Sequence, residues 1–387
     1  MIHSSNAHPT PAQPLLSLDR PRAITMWDFS WLERRWPGAG YEDWDRALDE
    51  LAERGYDAVR IDAYPHLVAA GAEQEWELIP EWSTNDWGSP ARCRIRVCPA
   101  LEEFIAKCKD RGILVALSSW FRQDVGNTRL HIPSPAKHAE IWIAVLDRLK
   151  SAGLLDAIYT VDLCNEWPCE VWAPFFQLRP DEPKEWASEK SLEWMAEACS
   201  LLRGAYPGIP LTFSTVSDAE GKMTGSNPKG LDFLEPHVWM SLVSDFNQRI
   251  GYKFERFDLS GYERIVQHAE KLYRSAPEHW NEALVRAIEQ QAAWSRRTGL
   301  PLVTTECWGI VDYKDWPLLD WGWVKELCAL GVETSAATGR WAAISTSNFC
   351  GPQFVGMWRD IEWHQRLTKI IRSGANPPNP PSKNLIA

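Results

Sequence analysis

The chain has no run of about 18 apolar residues, so no membrane-spanning helix is expected. It also has no cluster of Lys and Arg. Its 41 basic residues stand against 52 acidic ones, a net charge of −11, a balance that argues against nucleic acid as a partner. The first 22 residues lack a basic start and an apolar stretch, so no secretory signal is expected and the chain reads as cytoplasmic. Nine cysteines, at positions 93, 98, 108, 164, 169, 199, 307, 328 and 350, include no C-x-x-C pair. Their odd number and scatter predict free thiols and neither a disulfide framework nor a zinc site. Also missing are G-x-G-x-x-G, H-E-x-x-H and G-x-S-x-G, the signatures of dinucleotide binding, zinc-assisted hydrolysis and a serine nucleophile. No metal and no cofactor are therefore expected.

Tryptophan is what the chain has in excess: 23 Trp against 12 Phe and 9 Tyr. Indole offers a flat apolar face and one N–H, which suits it to stacking on the C–H face of a sugar ring. Core packing is the alternative use, and is expected to take the larger share.

Apolar runs of strand length alternate with amphipathic stretches of helix length. Strands are expected near Ala23–Phe29, Ala58–Tyr64, Ile113–Ser119, Ala157–Cys164, Leu211–Val216, Phe233–Met240, Leu302–Thr305 and Trp341–Thr346. Helices are expected over Tyr41–Arg54, Ala100–Arg111, Pro135–Lys150, Ser188–Ala205, twice within Gly261–Arg297, and over Trp321–Leu330 and Trp358–Ile371. In the third of these, Ile141, Val145 and Leu149 recur four apart, the spacing of one helix face. Gly55 and Gly112 stand just past two helix ends, where a left-handed residue is favoured. Eight such repeats predict an α/β fold, a (β/α)8 TIM barrel spanning 23–372, with an N-terminal extension 1–22 and a Pro-rich tail 373–387. A doubly wound open sheet is the alternative; it more often carries a glycine-rich phosphate turn. The connections after the second, fourth and sixth strands are long, which puts the elaboration at the C-terminal face of the barrel, where barrel enzymes work.

Residues just past each strand converge at that face. Asn165-Glu166-Trp167 follows the fourth strand and Thr305-Glu306-Cys307-Trp308 the seventh. Two glutamates on opposite sides of a barrel can flank one bond, one protonated to donate to the leaving oxygen and one ionised to attack or to activate water.

With Arg60 on the second strand and His237-Val238-Trp239 on the sixth, these residues resemble the retaining (β/α)8 glycoside hydrolases, and among them the cellulase-like glycoside hydrolase family 5. The resemblance runs from Ala23 to Ile371. It implies Glu166 as acid/base, Glu306 as nucleophile and Arg60 as the cation holding Glu306 ionised. It further implies Asn165 as donor to the sugar 2-hydroxyl, and His237 with Trp239 as a subsite wall. Ser119-Trp120 stands where the family has a histidine, Trp239 where it has a tyrosine, and Trp167 where a proline often follows the acid; these departures touch the substrate more than the chemistry. Trp120, Trp308, Trp341, Trp27 and Asp28 fall at or near strand tops and are further candidates for substrate binding. Asp62, Asp124, Asp312 and Asn348 read as solvated or structural. The expected function is exo-acting hydrolysis of a short β-linked oligosaccharide, a β-mannoside or β-glucoside. A β-mannosidase cutting a mannosyl-N-acetylglucosamine disaccharide fits, with an endo-glucanase or endo-mannanase and a non-catalytic sugar-binding barrel as alternatives.

Overall fold

A strand covered on both faces must be apolar along its length, and β1 (Arg22–Asp28) is buried at every position after Arg22. The computed structural model describes residues 16–177, 182–183, 185–217 and 221–374. Most of the expected extension and tail thus lies outside the described residues. Eleven further strands follow: β2 (Ala58–Asp62), β3 (Glu75–Leu78), β4 (Cys93–Arg96), β5 (Leu114–Ser118), β6 (Ile158–Asp162), β7 (Leu211–Thr212), β8 (Thr215–Val216), β9 (Pro236–Trp239), β10 (Leu302–Thr304), β11 (Cys307–Trp308) and β12 (Trp341–Ser345). All eight expected apolar runs contain strand. The fifth is split into β7 and β8, and the seventh continues past Thr305 into β11.

Seven strands form one parallel sheet in the order β10, β12, β1, β2, β5, β6, β7, and β11, β9, β8 form a second. The chain passes from one sheet to the other between β7 and β8 and between β10 and β11. A parallel bridge between Leu234 and Leu302 ties the two at their base. The result is an α/β fold with a curled parallel sheet of the TIM-barrel kind. Helices fill the crossovers, among them Trp44–Glu53, Ala100–Asp110, Pro135–Ser151, Glu189–Ala205, Pro277–Thr298, Gly322–Ala337 and Ile361–Ser373. Asp43, Ser134, Ser188 and Asp360 start four of them, each accepting a backbone N–H of the first turn. Gly55 follows the first at φ +84°, and a side chain there would meet the Thr368 hydroxyl at 2.7 Å.

Among the elements not expected are the helix Pro65–Gly71 and, after it, the antiparallel hairpin β3–β4, both inside the connection from β2 to the helix Ala100–Asp110. The hairpin's strands are short and charged, and the long loop between them carries no tight-turn pair, so neither periodicity nor turn chemistry marks it.

Side chains two apart on a strand share a face, which sorts the interior into layers. Ile24, Ala58, Ala116, Phe233, Val303, Ala342 and Ala343 form a small apolar cluster with Leu16. Two residues further along their strands stand Met26 and Arg60, and two beyond those Asp28 and Asp62. The interior therefore turns polar toward the C-terminal ends of the strands. No helix among the described residues is long and apolar enough to cross a membrane.

Candidate active site

Four strands leave the sheet through a non-glycine residue at positive φ: Asp28 (40°) after β1, Tyr64 (49°) after β2, Phe121 (40°) after β5 and Glu166 (48°) after β6. Such a conformation costs about 1–3 kcal/mol and persists only where its surroundings over-determine it. At Glu166 the surroundings are Ser214, in the gap between β7 and β8. The Glu166 N–H donates to Ser214 Oγ at 2.9 Å and the Trp167 N–H to the Ser214 carbonyl at 3.0 Å. Two more hydrogen bonds fix Ser214, its N–H and Oγ donating to Asp162 at 2.8 and 2.9 Å.

This turn brings Glu166 to His237 and Glu306. One oxygen of each glutamate and one ring nitrogen of His237 lie within 4.8 Å of one another. His237 Nδ1 is 3.1 Å from Glu166 and 3.8 Å from Glu306. Arg60, expected to serve Glu306, is shared: it donates to Glu306 at 3.0 Å, Asp162 at 2.6 Å, Asn165 Oδ1 at 2.8 Å and Ser118 at 3.0 Å, and lies 3.5 Å from Glu235. Burial would weaken the hold of Arg60 on its proton, but the charges of Glu235, Asp162 and Glu306 outweigh it and keep the guanidinium cationic. Burial pushes Glu166 up to about 7, against an N–H donated by Trp172. Burial also raises Glu306 above its usual range, aided by the charge of Glu166 and opposed by His237 and Arg60. Arg60 thus moderates the rise without cancelling it. His237, buried, is pushed down to about 4 and stays neutral near pH 7.

Glu166, His237 and Glu306 are the one group of His, Cys, Asp and Glu among the described residues close enough to share an ion. Positive charge at that group already comes from Arg60. A neutral imidazole between two carboxyl groups suits the exchange of protons, and we read the group that way and not as a metal site.

A cavity of about 670 Å³ opens over the glutamates. Of the expected residues, Asp28, Trp120, Asn165, Glu166, Trp239 and Glu306 line it. Trp120 stacks on the Arg60 guanidinium at 4.5 Å, and Asn165 keeps an amide N–H group without a protein partner. Arg60 and His237 lie just beneath, so His237 bridges the carboxyls where a subsite wall was expected. Trp27, Trp308 and Trp341 are corrected: they lie outside the cavity lining, fully buried, donating to Cys350 O, Ser345 O and Thr304 Oγ1. Trp341 begins its strand and so sits at the opposite end of the sheet from the glutamates. Trp167 also points away from Glu166, donating to Ser191 at 2.7 Å; Trp172 takes the place beside Glu166, donating to it at 3.2 Å.

Two residues read as solvated or structural line the cavity. Asp312 accepts from Tyr252 at 2.5 Å and Asn85 at 2.9 Å, and Asn348 accepts from Trp239 at 3.4 Å. Asp62 and Asp124 are buried and cap turns, accepting the N–H groups of Tyr64 and Gly126. Sequence reading also passed over Asp162 and Glu235, which contact Arg60, and Trp82, Trp87 and Phe254, which wall the cavity. The strand position of Asp162, four residues before Glu166, was a usable signal; the loop aromatics gave none.

A family described as sugar-binding and cellulase-like matches residues 24–372, while a search of curated proteins finds no match. Among solved structures, a candidate glycoside hydrolase from Parabacteroides distasonis is 51% identical, with TM-score 0.89 over 92% of this chain and 94% of that one. An endo-1,4-β-D-mannanase from Thermotoga petrophila is 14% identical, with TM-score 0.51 over 84% and 87%, and an endocellulase from Pyrococcus horikoshii 12% identical, with TM-score 0.51 over 89% and 92%. These last two share the fold. The chain belongs to the sugar-binding, cellulase-like family, and is a glycoside hydrolase.

Proposed function

We propose that the protein is a retaining, exo-acting β-glycosidase that takes a short β-mannoside or β-glucoside, on a single (β/α)8 barrel made of the two sheets over residues 23–372. The observation that carries this reading is the approach of the Glu166 and Glu306 carboxyl oxygens to within 4.8 Å. Retention needs the two groups about 5 to 5.5 Å apart, whereas inversion needs roughly 6.5 to 9.5 Å to seat a water. Glu306 attacks the anomeric carbon and the C–O bond to the leaving group breaks, while Glu166 gives that oxygen its proton. Glu166 then takes a proton from water, which displaces Glu306 and restores both groups. The free N–H group of Asn165 supports a hydrogen bond to the 2-hydroxyl; Trp120 and Trp239 offer ring faces, and Asp28, Asp312 and Asn348 polar contacts. No cofactor enters, because two carboxyl groups suffice. All nine cysteines are free, which supports a reducing compartment and hence small, imported substrates.

Release of the aryl group from a panel of aryl β-mannoside, glucoside, galactoside and xyloside tests the reading. One sugar is expected to be hydrolysed, Glu306→Gln is expected to abolish turnover while still binding it, and azide is expected to rescue Glu306→Ala. Undiminished activity in Glu306→Gln removes Glu306 as nucleophile. Activity confined to longer oligosaccharides selects the endo alternative.

A further inference from the structure

Beneath the nucleophile the structure holds more acid than its cation can neutralise. Asp162, Glu235 and Glu306 all lie within 3.5 Å of the Arg60 guanidinium, and none is more than 8% exposed. With all three ionised, a buried group would carry two uncompensated negative charges, which a low-dielectric interior opposes. One of the three has to be neutral. Asp162 accepts four hydrogen bonds, from Arg60, Ser118, and the N–H and hydroxyl of Ser214. Glu306 has to be ionised to attack. Glu235 accepts one, from Thr305 Oγ1 at 2.7 Å, and stands 3.5 Å from an Arg60 Nε that has no hydrogen-bond partner.

We propose that Glu235, just before the strand β9 that neighbours the nucleophile, is a positioning residue that shares the spare proton of the Arg60 cluster with Glu306 and leaves the guanidinium charge to Glu306 whenever it holds that proton. This rests on the glycosidase reading only for the role of Glu306; the charge argument stands without it. The charged and titratable groups facing Glu235 are Arg60 from β2, Asp162 from β6 and Glu306 beyond β10, with His237 two residues further along the chain, on β9. Burial pushes Glu235 up to about 7, against the charge of Arg60. The proton is shared: when it moves to Glu306 the nucleophile is silent, and when it stays on Glu235 the nucleophile is ready. Making Glu235 permanently neutral removes the competition.

The test is carbon NMR of the protein labelled at the glutamate carboxyl carbons, titrated in wild type, Glu235→Gln, Thr305→Val and Glu306→Gln, the last serving to assign the Glu306 signal. In Glu235→Gln, Glu306 is expected to lose its proton about 1 pH unit lower than in wild type and in a single step. Thr305→Val, which removes the one hydrogen bond to the Glu235 carboxylate and so favours its neutral form, is expected to move Glu306 in the same direction and covers the case in which Glu235→Gln does not fold. A Glu306 titration unchanged in either variant overturns the proposal. Failure of the glycosidase reading shows separately, as hydrolysis surviving Glu306→Gln.

Discussion

At the scale of the residue, the site is governed by what burial does to two carboxyl groups. As the proposed acid, Glu166 has to be protonated to donate and is raised to about 7, so activity is expected to fall as pH climbs through that value. As the proposed nucleophile, Glu306 has to be ionised and is raised above its usual range by burial, so the acidic side is expected above the ordinary glutamate value of about 4.3. The expected profile of kcat/KM is a bell on the acid side of neutrality, with Trp172→Phe moving the alkaline limb upward by removing an N–H from Glu166; a flat profile between about pH 5 and 9 contradicts it. The same shift bears on stability. A carboxyl group raised in the folded state binds more protons there than in the unfolded chain, so its contribution is full below the unfolded value and is lost as pH rises toward 7. Glu166→Gln escapes that loss and is expected to be more stable than wild type near pH 8, by up to about 3 kcal/mol, and level with it near pH 4. Melting curves at the two pH values check this. The residues that matter were only partly legible. Glu166 and Glu306 could be read because a strand end is visible in an apolar pattern; Arg60, in the middle of its strand, came only from the family resemblance. Glu235 could not be read, since a glutamate before a Pro-His-Val-Trp strand looks like any exposed loop acid until the fold buries it at 3%.

At the scale of the element, two contacts hold the site in shape. Gly331, in the helix Gly322–Ala337, packs on Trp308, and a side chain there would meet the indole Cγ at 2.4 Å. Trp308 is two residues from Glu306, so Gly331→Ala is expected to push β11 inward, cost about 1–3 kcal/mol of stability and lower kcat. Restoring room with Trp308→Phe in the same chain should recover part of both; full activity in Gly331→Ala would show the helix yields instead. Across the cavity mouth, Arg256 pairs with Glu81 at 3.0 Å, and the Ser83 N–H donates to the Arg256 carbonyl at 2.9 Å. This latch sets Phe254 against Trp82, ring centroids 6.3 Å apart. Arg256→Ala is expected to raise KM several-fold with kcat nearly unchanged, because it loosens a wall and leaves the glutamates alone. A loss in kcat instead would tie the latch to the chemistry. Which residues of the two loops would meet was not foreseeable, since nothing local in 79–90 or 242–260 says which other loop it will face.

At the scale of the whole molecule, the alternation of strand and helix was the most legible feature, because each buried parallel strand writes an unbroken apolar run. The tryptophan excess was the least. Of 23 tryptophans, 19 are buried and five line the cavity, so packing took most of the residues whose chemistry also suits a sugar. Trp27, Trp308 and Trp341 show why composition misleads here: each satisfies its N–H on a backbone or threonine oxygen inside the core, which an indole can do as readily as it stacks on a ring. The left-handed turns at Asp28, Tyr64, Phe121 and Glu166 bear on how this protein would respond to selection. Asp28 and Glu166 line the cavity, whereas Tyr64 and Phe121 are core packing; glycine at the first two relieves the backbone without emptying the core, so a screen that rewards heat resistance alone would be drawn to the two turns at the site, and its winners would be tougher and inert.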